Sequence, residues 1–172
     1  ASSPINLYGA TKLCADKLFI SSNNIKGSKD VSFSVVRYGN VMGSRGSVVS
    51  VFRKQMARHN QIYLTDKNMT RFNILLEDGV KLVHWALQNC IGGEIFVPKL
   101  SSFKIIDLAK GMGAKKISIT GIRPGEKIHE EMISTYEGLN TVELNDKYII
   151  LPDFLKGKYF KNVKKQPDKF CY

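Results

Sequence analysis

Apolar residues along this chain alternate between the spacing of helices and the spacing of strands. From Asn6 to about Ser22 they recur every three or four residues, and this pattern predicts a helix that ends before Asn23. The same spacing predicts helices at Val48–Arg58, Leu76–Gln88, Ile105–Met112 and Lys127–Ile133. Short runs rich in β-branched residues predict strands at Val31–Val36, Ile62–Leu64, Glu94–Val97, Lys116–Thr120 and Tyr148–Leu151. Helices and strands in alternation indicate an α/β fold.

The first predicted helix carries a tyrosine and a lysine four residues apart, Tyr8 and Lys12. Residues at this spacing share a helix face, so the Lys12 ammonium is placed to favour the phenolate form of Tyr8. A tyrosine in that form can act as a general base near neutral pH. Taken alone, such a pair is more often a solvated helical turn, and it gains weight only from other motifs.

A glycine-rich loop, Tyr38 to Gly46, follows the first predicted strand. Ligands of open α/β sheets bind beyond the carboxyl ends of the strands, so this loop is a candidate binding segment. Its glycines, Gly39, Gly43 and Gly46, permit close backbone approach, and Asn40 offers both a donor and an acceptor. The alternative is an ordinary turn that exposes Arg45.

Two arginines further along the chain, Arg71 and Arg123, are candidates for binding phosphate groups. A guanidinium pairs bidentately with phosphate oxygens, which a lysine ammonium cannot do. Arg123 opens the rigid turn Arg123-Pro124-Gly125-Glu126-Lys127, which we expect to direct Arg123 and Glu126 towards a common place. A surface turn with a routine ion pair is the alternative interpretation.

The chain has a strong positive charge, with 26 Lys and Arg against 15 Asp and Glu and a formal net charge of +11. Such an excess favours an anionic partner, which can be a nucleic acid, an anionic lipid or a phosphorylated small molecule. Much of the excess lies in residues 153–172, where we expect a solvated basic segment that contains Lys156, Lys158, Lys161, Lys164, Lys165 and Lys169. We find no nucleic-acid recognition motif and no apolar run long enough to cross a membrane, so we expect neither partner.

The three cysteines, Cys14, Cys90 and Cys171, are odd in number and widely separated. They lack the spacing of a disulfide framework or a zinc site, and we therefore expect no metal and a reducing, cytoplasmic setting. The sequence begins at Ala1 and reaches Tyr8 almost at once, which predicts that it is part of a longer polypeptide.

Four motifs occur in order: Pro4 to Lys12, Arg37 to Val41 with Gly43 to Ser47, Met69 to Phe72, and Arg123 to Lys127. Together they resemble the second half of the extended short-chain dehydrogenases/reductases. The resemblance is strongest to the inverting branch of the UDP-N-acetylglucosamine 4,6-dehydratases, which serve pseudaminic acid and surface-glycan synthesis. It covers nearly the whole chain, and Tyr8 favours this branch because retaining relatives tend to carry Met there. It implies a Rossmann-like α/β fold, in which residues 1–172 form one partial domain that mixes the second part of the Rossmann core with a substrate-binding region.

The resemblance also implies a set of roles. Tyr8 and Lys12 would be catalytic, NADP (with NAD as the alternative) would be the cofactor, UDP-N-acetylglucosamine the substrate, and the full-length protein a homo-oligomer. The residues implied in cofactor binding are Tyr8, Lys12, Tyr38, Gly39, Asn40 and Val41. The residues implied in substrate binding are Asn40, Arg45, Thr70, Arg71, Arg123 and Glu126.

Some parts that this chemistry needs are not found in these 172 residues. The glycine-rich turn that places a dinucleotide pyrophosphate on a helix N-terminus is missing from the sequence. So are the Asp-Lys pair and the Ser or Thr that the family has upstream of its tyrosine. We therefore expect the isolated chain to bind cofactor poorly, to be inactive, and to expose an apolar sheet edge.

Two alternatives remain open on the sequence. A nucleotide-sugar epimerase of the same superfamily would share Tyr8 and Lys12 and differ only in the reaction after oxidation at C4. A non-catalytic fragment that binds polyanions would use the positive charge alone, with binding that weakens steeply as salt rises.

Overall fold

The computed structural model of the chain describes residues 2–155, 163–167 and 169–172. Its α-helices are α1 (Leu7–Ser21), α2 (Val48–His59), α3 (Leu76–Asn89), α4 (Ile105–Gly111) and α5 (Thr135–Gly138). Its strands are β1 (Val35–Val36), β2 (Asn40–Val41), β3 (Ile62–Leu64), β4 (Thr70–Ile74), β5 (Ile95–Pro98), β6 (Ser102–Lys104), β7 (Ile117–Ile119), β8 (Thr141–Leu144), β9 (Lys147–Ile150) and β10 (Lys164–Lys165). Single 3-10 turns lie at Ser22–Asn24 and Asp153–Leu155.

The chain folds into two compact units. The first unit contains Ala1–Tyr38, Val80–Lys99 and Glu131–Tyr172, and the second contains Gly39–Gly79 and Leu100–Glu130. The chain passes between the units within α3 and in short connections, so no linker in the sequence marks the division.

The first unit is built on a five-stranded sheet with the order β1-β5-β9-β8-β10. β1 and β5 are parallel, and the remaining neighbours are antiparallel. Its core contains Phe96 and Ile149, both fully buried, and the ring of Trp85 meets that of Phe96 edge-on with centroids 5.4 Å apart. β1 lies at one edge of this sheet, with Val35 and Val36 half-buried.

The second unit contains two small sheets. β2, β4 and β6 form one, with β2 parallel and β6 antiparallel to the central β4, and the parallel pair β3 and β7 forms the other. Phe52 from α2, Ile62 and Leu64 from β3, and Ala109 from α4 pack together as its core. Phe52 and Leu64 of this core also line a cavity together with Asn40 from β2 and Arg71 from β4.

The segment Lys127–Ile133 is not a helix, and that prediction is wrong. The Ile128 carbonyl accepts a hydrogen bond from the Thr70 N–H at 3.0 Å, so it is not paired within a helix. A short helix, α5, follows instead, where Ser134 and Glu137 form a reciprocal capping box. Tertiary partners have overridden a local apolar spacing that resembled a helix.

The predicted basic segment 153–172 is only partly a solvated tail. Lys164 and Lys165 form β10, which pairs antiparallel with β8 so that Lys164 lies opposite Glu143. Lys156, Lys158 and Lys161 lie outside the described residues.

Gly39 is required for the packing of the glycine-rich loop on β4. A Cβ atom at position 39 would lie 2.7 Å from the Phe72 carbonyl oxygen and 2.8 Å from the Phe72 Cβ. We expect Gly39→Ala to lower the free energy of unfolding by about 1–3 kcal/mol, because the backbone must shift to relieve this overlap. Urea unfolding followed by circular dichroism measures the loss.

Gly79→Ala is the matched control, because nothing lies within 4 Å of a Cβ atom built at that helical glycine. It should raise the free energy of unfolding by roughly 0.5–1 kcal/mol, since alanine favours the helix. Equal effects at the two positions would contradict the assignment of Gly39 to a close backbone contact.

Candidate active site

The first unit presents Tyr8 and Lys12 on the opening turns of α1. The helix begins where the Asn6 side chain accepts a hydrogen bond from the Gly9 N–H at 2.7 Å. The Tyr8 side chain is 73% exposed, and the Lys12 Nζ lies over its ring, 5.5 Å from the centroid. The spacing of four residues thus brings the phenol and the ammonium together on an accessible face. Tyr38, the other predicted residue of this unit, is exposed and is the first residue of the glycine-rich loop.

A buried arginine, which the sequence analysis named only as part of a motif, lies at the centre of the same unit. Arg37 is 6% exposed, and its guanidinium donates to Asp16 at 2.9 Å, to the Met132 carbonyl at 2.6 Å and to Glu137 at 3.0 and 3.1 Å. Burial by itself would raise the pKa of Glu137, but the hydrogen bonds and charge of Arg37 outweigh it and hold that pKa below its usual value. The one sequence signal for this cluster is a charged residue directly after the apolar pair Val35 and Val36.

The second unit contains a cavity of about 200 Å³. Three residues predicted for cofactor or substrate binding, Asn40, Arg71 and Glu126, line it together. Thr65, Asp66 and Asn73 add polar groups that the sequence analysis did not identify, and apolar walls come from Val48, Phe52, Phe103 and Ile105. A cavity with apolar walls and a few convergent polar groups is the usual form of a small-molecule site.

Arg71 has two tasks in this arrangement. Its guanidinium donates to the carbonyls of Thr70 at 2.6 Å, Ile128 at 3.1 Å and Lys127 at 3.1 Å, and these bonds tie β4 to the segment that follows the Arg123 turn. A guanidinium has five N–H donors, so at most two remain for a ligand. The carboxylate of Glu130 lies 4.0 Å from the Arg71 Nε.

Other predicted substrate residues do not line this cavity. The Thr70 hydroxyl and the His129 Nδ1 form a hydrogen bond of 2.8 Å. Arg123 is exposed and lies 3.8 Å from the Glu126 carboxylate, which is the ion pair that the alternative interpretation of a surface turn predicted. Arg45 is exposed at the tip of the glycine-rich loop, and Val41 belongs to β2.

The three glycines of the loop serve different purposes. Gly39 lies against β4, whereas a Cβ atom at Gly43 or Gly46 would meet nothing within 4 Å. These two have φ angles of +73° and +76°, a backbone conformation that glycine adopts without strain. Gly39 is therefore needed for packing against β4, and the loop tip requires glycine because of its conformation.

The described residues offer neither a metal cluster nor a membrane-spanning helix. Among them, no group of three or more His, Cys, Asp and Glu side chains is placed to hold a metal ion. No described helix combines the length and the apolar character needed to cross a bilayer.

The fold places this chain among the Rossmann-like α/β proteins, which confirms the fold prediction. The chain belongs to the polysaccharide biosynthesis protein family, whose profile matches residues 1–152. It is 53% identical over 155 residues to a UDP-N-acetylglucosamine 4,6-dehydratase (inverting) of Campylobacter jejuni, an alignment that covers 88% of this chain and 46% of that protein. The predicted resemblance to this branch is thereby confirmed.

Solved structures show the same relationship. The X-ray structure of Pen from Bacillus thuringiensis is 38% identical and superposes with a TM-score of 0.90, covering 99% of this chain and 53% of Pen. A UDP-N-acetylglucosamine 4-epimerase from Methanobrevibacter ruminantium, with 17% identity and a TM-score of 0.57, shares the fold over 72% of this chain and 43% of its own. The chain spans about half the length of these relatives.

Proposed function

We propose that this chain is the catalytic and substrate-binding part of a longer inverting UDP-N-acetylglucosamine 4,6-dehydratase, a hydro-lyase. The proposal depends above all on the exposed Tyr8 with the Lys12 ammonium 5.5 Å from its ring centre. The reaction removes water from the nucleotide sugar through transient oxidation at C4. Its product, a UDP-4-keto-6-deoxy-hexosamine, would supply pseudaminic acid for surface glycans. We further propose a cytoplasmic, homo-oligomeric full-length enzyme.

Tyr8 is the proposed base for the C4 hydroxyl of the sugar. As a phenolate it would take the hydroxyl proton while hydride leaves C4, and the Lys12 cation would stabilise that phenolate. Lys12 would also donate a hydrogen bond to the ribose of a nicotinamide cofactor. Exposure supports both roles, because the phenol is open to a ligand and the ammonium lies beside it.

NADP, with NAD as the alternative, would supply the reversible hydride transfer that the transient oxidation at C4 requires. The residues proposed to contact its nicotinamide end are Tyr8, Lys12, Tyr38, Gly39, Asn40 and Val41. Within the first unit Tyr8, Lys12 and Tyr38 are exposed, and within the second unit Asn40 lines a cavity, so each group is accessible to a ligand. The rest of the cofactor, and the acid and base groups for elimination, would contact the remainder of the polypeptide.

The cavity of the second unit is the proposed site for the uridine diphosphate. The free donors of Arg71 and the exposed fork of Arg123 would bind the phosphates, with Arg45 as a further cation. Glu126 would accept from the ribose hydroxyls, and Asn40 would bind the sugar. In the tautomer that carries the proton on the His129 Nδ1, the Thr70 hydroxyl accepts that hydrogen bond and keeps its own proton to donate to a phosphate.

Proton NMR of the products tests the proposal. The full-length enzyme, incubated with UDP-N-acetylglucosamine, should convert the C6 hydroxymethyl group into a methyl group, and the isolated 172-residue chain should give no turnover. An epimerised sugar that keeps its C6 hydroxyl would identify a nucleotide-sugar epimerase instead. Binding of the isolated chain to duplex DNA with a steep loss in salt, and no binding of UDP, would favour the polyanion-binding alternative.

A further inference from the structure

Arg37 joins the helix that carries Tyr8 to α5, and both helices belong to the first unit. On one side its Nη2 and Nε donate to a single carboxylate oxygen of Asp16 in α1, at 2.9 and 3.3 Å. On the other side it donates to both carboxylate oxygens of Glu137 in α5 and to the Met132 carbonyl. With 6% of its surface exposed, Arg37 is an internal link between α1 and α5, since it lies 21 residues after Asp16 and 100 residues before Glu137.

Asp16 lies on the same helix as Tyr8 and Lys12, so the link to Arg37 affects the position of both side chains. Tyr8, Lys12 and Asp16 follow one another at intervals of four residues, so they lie along one face of the helix. Because a helix rises about 1.5 Å per residue, Asp16 lies roughly 12 Å along the axis from Tyr8. Fixing the Asp16 carboxylate therefore fixes both the rotation and the axial position of the face that presents the phenol and the ammonium.

The far end of the link is itself held in place. Glu137 accepts hydrogen bonds from the Ser134 N–H and hydroxyl within its capping box. The Met132 and Ile133 N–H groups both donate to the Tyr172 carbonyl oxygen, at 2.5 and 2.7 Å. Charge-assisted hydrogen bonds to groups with so little freedom define a single geometry for Arg37. Lys17 also approaches Glu137, at 3.5 Å, but its side chain is 60% exposed.

We propose that Arg37 and Asp16 are positioning residues, whose buried ion pair sets the rotation of α1 and so aims Tyr8 and Lys12 at the sugar and the cofactor. This inference rests on the proposed function. Neither residue touches the reacting atoms. Their effect is on the geometry of the attacking phenolate, where a displacement of about 1 Å can lower the rate on the order of 10²-fold.

The test compares Asp16→Asn, Asp16→Glu and Lys17→Ala in the full-length enzyme. Asp16→Asn keeps the shape and loses the charge, and it should lower kcat roughly 10- to 100-fold while the KM for UDP-N-acetylglucosamine changes less than about twofold. Asp16→Glu restores the carboxylate and should recover part of the kcat. Lys17→Ala removes an exposed cation near the same cluster and should leave both constants unchanged.

Amide hydrogen exchange on the same proteins provides the second measurement. In Asp16→Asn the amides of α1 should exchange at least about tenfold faster, while those of β5 and β9 keep their wild-type rates. An unchanged kcat, or an equal loss of protection throughout the first unit, would overturn the proposal. If the wild-type enzyme shows no turnover, the proposed function fails, and the exchange of α1 still decides whether Asp16 holds the helix.

Discussion

Replacing Tyr8 by phenylalanine in the full-length enzyme is expected to lower kcat by about 10²–10⁴-fold, the usual contribution of a positioned acid-base group. The ring is 73% exposed, so its loss of one hydroxyl removes no buried hydrogen bond and should leave the free energy of unfolding within about 0.5 kcal/mol of wild type. Steady-state kinetics with UDP-N-acetylglucosamine, together with urea unfolding of the same protein, separate the two effects.

Tyr136 provides a matched control for this substitution. It is also a tyrosine on a helix of the first unit, and at 88% exposure it is even more accessible than Tyr8. Tyr136→Phe should leave kcat and stability unchanged. If Tyr8→Phe keeps its turnover as the control does, Tyr8 is not the base and the proposed mechanism is wrong.

The helices of this chain could be predicted from sequence because their signals are local. Asn6 caps α1 one residue before its first helical position, and the predicted starts of α2, α3 and α4 agree with the structure. Strands that pair with residues distant in the sequence were harder to predict. The first four positions of β4 are all half-buried, so its two faces do not differ clearly in burial. The alternation that marks a half-buried strand is therefore weak, and no strand was predicted there.

The failed helix at Lys127–Ile133 has the same physical origin. Its carbonyls at positions 127 and 128 accept from Arg71, more than 50 residues earlier in the chain. Such a long-range partner leaves no periodic trace in the local sequence. The conformation of this segment therefore could not be predicted without knowing its contact with Arg71.

The candidate site also has one part that could be predicted from local spacing and one part that could not. Tyr8 and Lys12 were predictable as neighbours because one helical turn brings them together. That Asn40, Arg71 and Glu126 line one cavity could not be read from spacings of about 31 and 55 residues along the sequence, because only the fold brings β2, β4 and the Arg123 turn together. The partners of Arg37 could not be predicted for the same reason, since Asp16 lies 21 residues before it in the sequence and Glu137 lies 100 residues after it.

Replacing Arg37 by methionine is expected to cost about 3 kcal/mol of folding free energy, because the partly buried carboxylates of Asp16 and Glu137, which are 17% and 11% exposed, would be left without their cation. Trp85 is the one tryptophan of the chain and packs on Phe96 in the core of the first unit, so its fluorescence reports the unfolding of that unit in urea. Lys17→Met is the control, since it removes an exposed cation 3.5 Å from the same Glu137 and should cost less than about 1 kcal/mol.

The difference between wild type and Arg37→Met should also depend on pH. Because the folded pKa of Glu137 is lower than its ordinary value of 4.5, the stability that this carboxylate contributes is fully present above that value and is lost as the pH falls through the folded pKa. The stability gap should therefore be widest near pH 7 and narrow as the pH falls below 4.5 through the folded pKa, because protonated Glu137 no longer needs a cation. A gap that stays constant over this range would mean that Arg37 stabilises the fold by packing, and that its charge contributes little.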